Sequence, residues 1–359
     1  MRRTLSICIA LLLALTTACS APGAASTSQA STSSAPAEPT QTTYPIPDKA
    51  AKPLNQFNLD VTLDPQAHQL KVKQTLTYHN HTGKPLSQIY FNLIPQAFQQ
   101  DGGGTVVEQV SVDGKASSLS QVKETVYALD LPADLQADQC IDIQMEYRVK
   151  VPNIKNRFGY QENVYNLGNF IVTPAVYGKK GWTVEPYVDI GDAFYTEIAN
   201  YDVTIHVPDG YTVAATGRET TKGRYQAQQV RDFAFCASDG YTVQQETYNG
   251  VDVMVYYNGD IQKTAQRVMD TAKQSLDLYS DAFGQYPYDT LSLVLNGLTG
   301  GVNGMEYPTL VMLDPDCKVE DFGDWGISDA SEDTGPGVDY YLWLIDSATC
   351  HEIAHQWFY

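Results

Sequence analysis

The sequence predicts a β-rich sandwich domain followed by the first part of an α+β domain. Three patterns predict it. From Leu54 to about Ser238, short alternating or β-branched runs are separated by turn residues, and no long helical period appears. After Asp239 the texture changes to a strand, a long amphipathic helix and short apolar strands. The final segment is apolar at helical spacing and ends in His351-Glu352-Ile353-Ala354-His355.

Residues 1–19 read as a secretory signal. Arg2 and Arg3 precede an apolar run from Leu5 to Leu15 that is too short to span a bilayer as a stable helix. Thr16-Thr17-Ala18-Cys19 resembles a bacterial lipobox, which makes Cys19 the expected lipidation site and mature N-terminus; a plain secreted protein is the alternative. Residues 20–50 are dominated by Ser, Thr, Ala, Pro and Gln and cannot bury enough surface to fold. They read as a disordered tether. Together the two segments predict an extracytoplasmic protein at a bacterial cell surface, lipid-anchored to the membrane.

Residues 51–240 are assigned to the all-β domain. Expected strands include Phe57–Leu63, Leu70–His79, Ile141–Val151, Tyr201–Val207 and Tyr211–Ala215, with turns at Asp113-Gly114 and Pro208-Asp209-Gly210. Its share of the 24 tyrosines is expected to pack cores and sheet faces. Residues 241–359 begin with a strand at Val251–Tyr257. Ile261, Ala265, Val268, Met269, Ala272, Leu276, Tyr279 and Phe283 then share one face of a long helix, which Gly284 stops. Strands follow at Leu291–Leu295 and Leu310–Leu313. The Gly335-Pro336-Gly337 run is expected to break the chain, so that the last helix starts after about Val338, capped by Asp339.

The net charge of −19, from 23 basic and 42 acidic residues, excludes nucleic acid as a plausible partner. Beyond Cys8 and Cys19, the cysteines Cys140, Cys236, Cys317 and Cys350 show no C-x-x-C spacing, so a cysteine zinc site is not expected. All four read as packing residues, with a disulfide open to them in an oxidising compartment.

The chemistry lies in two segments. On a helix, His351 and His355 fall on one face, one turn apart, so that two imidazoles reach one zinc ion. Glu352 beside them is placed as a general base toward water rather than as a ligand. Upstream, Gly300-Gly301-Val302-Asn303-Gly304-Met305-Glu306-Tyr307-Pro308-Thr309-Leu310 supplies flexible backbone and then a carboxylate. By itself this is an ordinary glycine-rich turn. Together with His-Glu-Ile-Ala-His-Gln-Trp-Phe it closely resembles the membrane alanyl aminopeptidase family, zinc aminopeptidases of the gluzincin clan. Supportive matches are Tyr201–Pro208, Tyr211–Gly217, Gln285-Tyr286-Pro287-Tyr288, and Asp232-Phe233-Ala234-Phe235 as the crossing between domains.

The resemblance implies a saddle-shaped N-terminal β-domain and a thermolysin-like catalytic domain that hydrolyses peptides with one Zn²⁺. It implies His351 and His355 as zinc ligands, Glu352 as general base and Glu306 as the partner of the substrate's α-ammonium. Gly304 and Met305 would present backbone to the substrate, and Leu310–Leu313 could pair with it as an added strand. The family's third zinc ligand, a later glutamate, falls beyond Tyr359. The chain is therefore expected to be an incomplete, inactive piece of a longer protein. Tyr307 stands where the family usually has asparagine, and Glu185-Pro186-Tyr187 lacks the usual acidic dipeptide before proline. Two alternatives remain: a zinc endopeptidase of the same clan, and a non-catalytic, β-rich surface lipoprotein that binds peptide or polysaccharide.

Overall fold

Strict alternation of buried and exposed side chains along Asn55–Asp64, Gln69–His79 and Cys140–Lys150 builds the centre of an eight-stranded sheet. The computed structural model describes residues 52–188, 190–192, 194–298, 304–315 and 336–358, without the side chains of 336–341. The signal and tether with Cys19, the glycine-rich stretch 300–303, Cys317 and the side chain of Asp339 lie outside the described residues. No helix among the described residues is long and apolar enough to cross a membrane.

The large sheet runs in the order Arg218–Thr221, Arg224–Val230, Ala199–His206, Asn55–Asp64, Gln69–His79, Cys140–Lys150, Gly104–Val112, Lys115–Ser117. All neighbours are antiparallel except Asn55–Asp64 with Ala199–His206, which pair in parallel. The inward set, including Phe57, Val61, Leu70, Leu76, Ile143 and Tyr147, packs against two four-stranded sheets through Phe91, Phe158, Phe170 and Phe235. Asp113 and Gly114 both take positive φ, at 47° and 76°, as a tight hairpin turn requires.

The segment Asp232–Phe235, expected as the crossing between domains, is irregular backbone that leads into the strand Phe235–Ser238, and Ala234 packs against the five-stranded sheet. Phe233, Ala234 and Phe235 are fully buried, and Phe235–Ser238 pairs on both sides, with Val164–Leu167 and Thr212–Ala215. The chain turns only at Asp239-Gly240, where the Gly240 N–H donates to Ser238 Oγ at 3.0 Å.

A five-stranded sheet follows, ordered Thr242–Tyr248, Val251–Tyr257, Thr290–Leu295, Leu310–Leu313, Gly304–Tyr307. Helix α1 (Gln262–Phe283) is the crossover that lets Val251–Tyr257 and Thr290–Leu295 lie parallel. Its buried face carries Ala265, Val268, Met269, Ala272 and Leu276, the periodic residues of the sequence. The last antiparallel pair leaves Gly304–Tyr307 as the sheet edge. Leu310–Leu313, expected to accept a substrate strand, has both flanks occupied and cannot; the open edge belongs to Gly304–Tyr307.

Helix α2 (Pro336–Ala354) packs on α1 and on that edge through Leu342, Ile345, Thr349 and Ile353. It starts at Pro336 rather than after Val338, because proline in a first helical turn forfeits no hydrogen bond. Arg267 grips Asp346 through Nε (2.8 Å) and Nη2 (2.7 Å), and Tyr279 donates to the Cys350 carbonyl at 3.1 Å, fixing the two helices together. Trp343 is exposed despite its apolar surroundings in sequence. A seam of Ala214, Ala234 and Cys236 against Val294, Met305 and Met312 joins the β-rich part to the five-stranded sheet. Of the described cysteines, all free, Cys236 is buried and Cys350 half-buried, but Cys140 is exposed, because it falls on the outward register of its strand.

Candidate metal centre

The C-terminal turn of α2 brings the predicted residues together. The helix ends at Ala354, and the next amides turn tightly, Gln356 N–H to Ile353 O (3.0 Å) and Trp357 N–H to Ala354 O (3.1 Å). His355 thus sits one residue past the helix rather than on it. The tighter turn still leaves His351 Nε2 and His355 Nε2 3.2 Å apart. His355 Nδ1 lies 3.1 Å from the Phe358 carbonyl, so its proton belongs there and the Nε2 lone pair faces His351.

Glu306 enters from the edge strand. Ligand atoms of Glu306, Glu352 and His355 all lie within 4.8 Å of one another. Glu306 is 5 % and Glu352 6 % exposed, so two carboxyls share one dry recess. Burial first, then the charges of Glu306 and Asp192, push Glu352 up to about 8. Glu306 is also raised, by burial first and then by Asp192. A dication between them would reverse both directions.

Gly304 is needed for this approach: a methyl group built there would overlap Cγ, Cδ and Oε1 of Glu352. Met305 is buried with its sulfur toward Arg157.

Three contributors escaped the sequence reading. Asp192 reaches the recess from the loop before Ala199–His206, and its charge acts on both glutamates. Arg157, only 8 % exposed in its side chain, holds Asp192 through Nη1 and the Gly191 carbonyl through Nη2 at 2.6 Å. Gln356 accepts the Thr309 N–H at 2.7 Å and donates to the Tyr307 carbonyl at 3.3 Å, tying the turn of the edge hairpin to the end of α2. Tyr307, in the family's asparagine position, points away: its hydroxyl donates to Asn169 Oδ1 at 3.2 Å, over Gly168, where any side chain would collide with it.

The donor set fits zinc. Two nitrogen ligands of one tetrahedral zinc lie about 3.3 Å apart, close to the imidazole spacing here. Glu352 Oε2 is buried with no hydrogen-bond partner, an orphan that a metal or its water would satisfy. The carboxylate cluster and the imidazole pair share only His355. The imidazole pair is the better zinc site, since nitrogen suits this borderline ion.

No protein-family profile matches the chain. No curated protein matches it either. Solved structures do. An M1 zinc metallopeptidase from Deinococcus radiodurans superposes with a TM-score of 0.55 at 17 % identity, over 85 % of this chain and 64 % of that one. A glutamate-to-alanine mutant of a two-domain M1 zinc metallopeptidase, bound to L-arginine, gives 0.55 at 16 % over the same shares. A glutamate-to-alanine mutant of the Deinococcus radiodurans enzyme gives 0.55 at 16 % over the same shares. The chain thus spans 64 % of the length of these neighbours. Its fold is that of the M1 zinc metallopeptidases, a β-rich N-terminal domain continuing into the first part of the α+β catalytic domain.

Proposed function

We propose that this chain carries the zinc-binding and substrate-binding residues of a peptidase that removes N-terminal residues from peptides. The observation that carries this reading is the imidazole pair 3.2 Å apart beside a buried glutamate whose Oε2 has no partner. His351 and His355 hold one zinc ion, which when bound acidifies water and polarises the peptide carbonyl. Glu352 takes a proton from the attacking water at Oε2 and delivers it to the leaving nitrogen. Glu306 meets the α-ammonium of the substrate, and its distance from Glu352 sets the cut one residue in. One neighbour is bound to L-arginine, and an amino acid with a free ammonium is the ligand class proposed here for Glu306. The backbone of Gly304 and Met305, on the open sheet edge, accepts the extended substrate.

Two imidazoles alone hold zinc weakly, so weak zinc binding and little activity are proposed for His351 and His355 without a third protein donor. Attachment to a bacterial membrane through lipidated Cys19 rests on the sequence; Cys19→Ser should abolish labelling by a fatty-acid analogue.

The test is metal analysis paired with peptide hydrolysis, in the chain and in a version extended to the neighbours' length. One zinc per chain, lost in His351→Ala, is expected in the extended version, with weaker binding in the chain by itself. Glu306→Ala should abolish cleavage of free-amine peptides. Retained cleavage of N-acetylated peptides by that variant would instead identify an endopeptidase. Peptide hydrolysis by metal-free protein would sink the reading.

A further inference from the structure

We propose that Arg157 is the positioning residue for Glu306, clamping both neighbours of that glutamate on the open sheet edge. This rests on the reading of Glu306 as the group that meets the substrate. In a strand, Met305 and Tyr307 face one side and Glu306 the other, so whatever holds the first two aims the third. Among the described residues no further strand lies outside Gly304–Tyr307, and the backbone ladder there fixes one side only.

Arg157 supplies the other side. Its Nη1 donates to Met305 Sδ at 3.2 Å, a weak acceptor that a guanidinium meets here only because the geometry forces it. Its Cζ lies over the Phe194 ring, 5.3 Å from the centroid, and Phe194 in turn stacks on Tyr307 at 6.4 Å. Its main-chain carbonyl accepts the N–H of Gly168, the residue that makes room for the Tyr307 hydroxyl.

The same fork holds Asp192 and the Gly191 carbonyl, which seats these two residues against the strand. One cation thus joins the β-rich part, the loop and the edge strand, and it neutralises part of the charge gathered by Glu306, Glu352 and Asp192. Lysine would keep the charge but lose the planar fork that meets three acceptors and a ring at once.

The test compares Arg157→Met and Arg157→Lys with the parent chain, and with the same pair in the extended protein. Amide exchange is followed by mass spectrometry, together with zinc content and steady-state cleavage of a free-amine peptide. Arg157→Met should speed exchange at residues 190–194 and 304–307 about tenfold or more, and leave α1 and the strands Asn55–Asp64 and Gln69–His79 as they were. In the extended protein, KM should rise about tenfold with kcat within about threefold, and Arg157→Lys should fall between. Zinc content should not change. Unchanged exchange at 304–307, exchange raised throughout the β-rich part, or loss of kcat at constant KM would each overturn the clamp. Failure of the parent chain and its extension to bind zinc would defeat the metallopeptidase reading instead, and the exchange data would then decide the clamp alone.

Discussion

At the level of single residues, the site depends on how closely Glu352 can approach the edge strand. Gly304 permits that approach, since any Cβ would occupy the volume of the glutamate's Cγ, Cδ and Oε1. The glutamate is anchored on a helix whose buried face is fixed by Ile345, Thr349 and Ile353, so it has little freedom to retreat. Gly304→Ala should therefore rotate Glu352 out of the recess and lower stability by about 1–3 kcal/mol, as overpacking does. Urea unfolding measures the stability loss, and retained zinc with lost hydrolysis in the extended protein measures the displacement. Normal hydrolysis by Gly304→Ala would show that Glu352 has another route to its place. The histidines are insulated from this change, because their spacing is set by α2 and the turn after it.

Between elements, the edge hairpin and the end of α2 are held together by one amide. Gln356 satisfies the Thr309 N–H, which is buried, and reaches the Tyr307 carbonyl. Thr309 sits at φ 59°, an unfavourable conformation for a β-branched residue, and its hydroxyl accepts the Gly217 N–H at 2.7 Å. Gln356→Ala leaves the Thr309 amide unsatisfied and should cost about 1–3 kcal/mol. Faster amide exchange at Thr309 is expected with it; unchanged stability would mean that water replaces the amide. This contact also marks the limit of what the chain reveals in one dimension. The alternating strands, α1 and the His351–His355 pair were legible because each is a local period, and their bounds moved by only a residue or two. Arg157, Asp192, Asn169 and Gln356 were not, since each acts on residues roughly 35 to 150 positions away and carries no local pattern. The error over Leu310–Leu313 was of the same kind: the sequence shows a strand but not which strand is the edge.

Across the whole molecule, a net charge of −19 coexists with a fully buried acid at the seam. Asp232 lies behind the edge strand, accepting from the Phe233 N–H at 2.8 Å and from Asn169 Nδ2 at 3.3 Å, and Asn169 receives the Tyr307 hydroxyl. Burial outweighs these hydrogen bonds and pushes its carboxyl up to about 7. In the unfolded chain it titrates near the ordinary carboxylate value of about 3.9. Between the two values the folded protein holds a proton that the unfolded chain has released, so stability falls as pH rises, and the loss is complete once pH passes the folded value. Among the described residues no cation bonds to it, and Tyr201, the ionisable group it acts on, is itself raised by burial and stays neutral. Thermal unfolding from pH 5 to 8 should therefore show Asp232→Asn losing about 1–3 kcal/mol less than the parent, the remaining decline coming from Glu352 and Glu306, which burial also raises. Asparagine keeps the shape and the acceptor for Phe233 without an ionisable proton, so the variant should match the parent near pH 5 and exceed it at pH 8. A parallel decline in both proteins would assign the slope to other groups instead: to the buried Glu352 and Glu306, which burial also raises, if salt leaves it, and to the self-repulsion of an acidic surface if salt removes it.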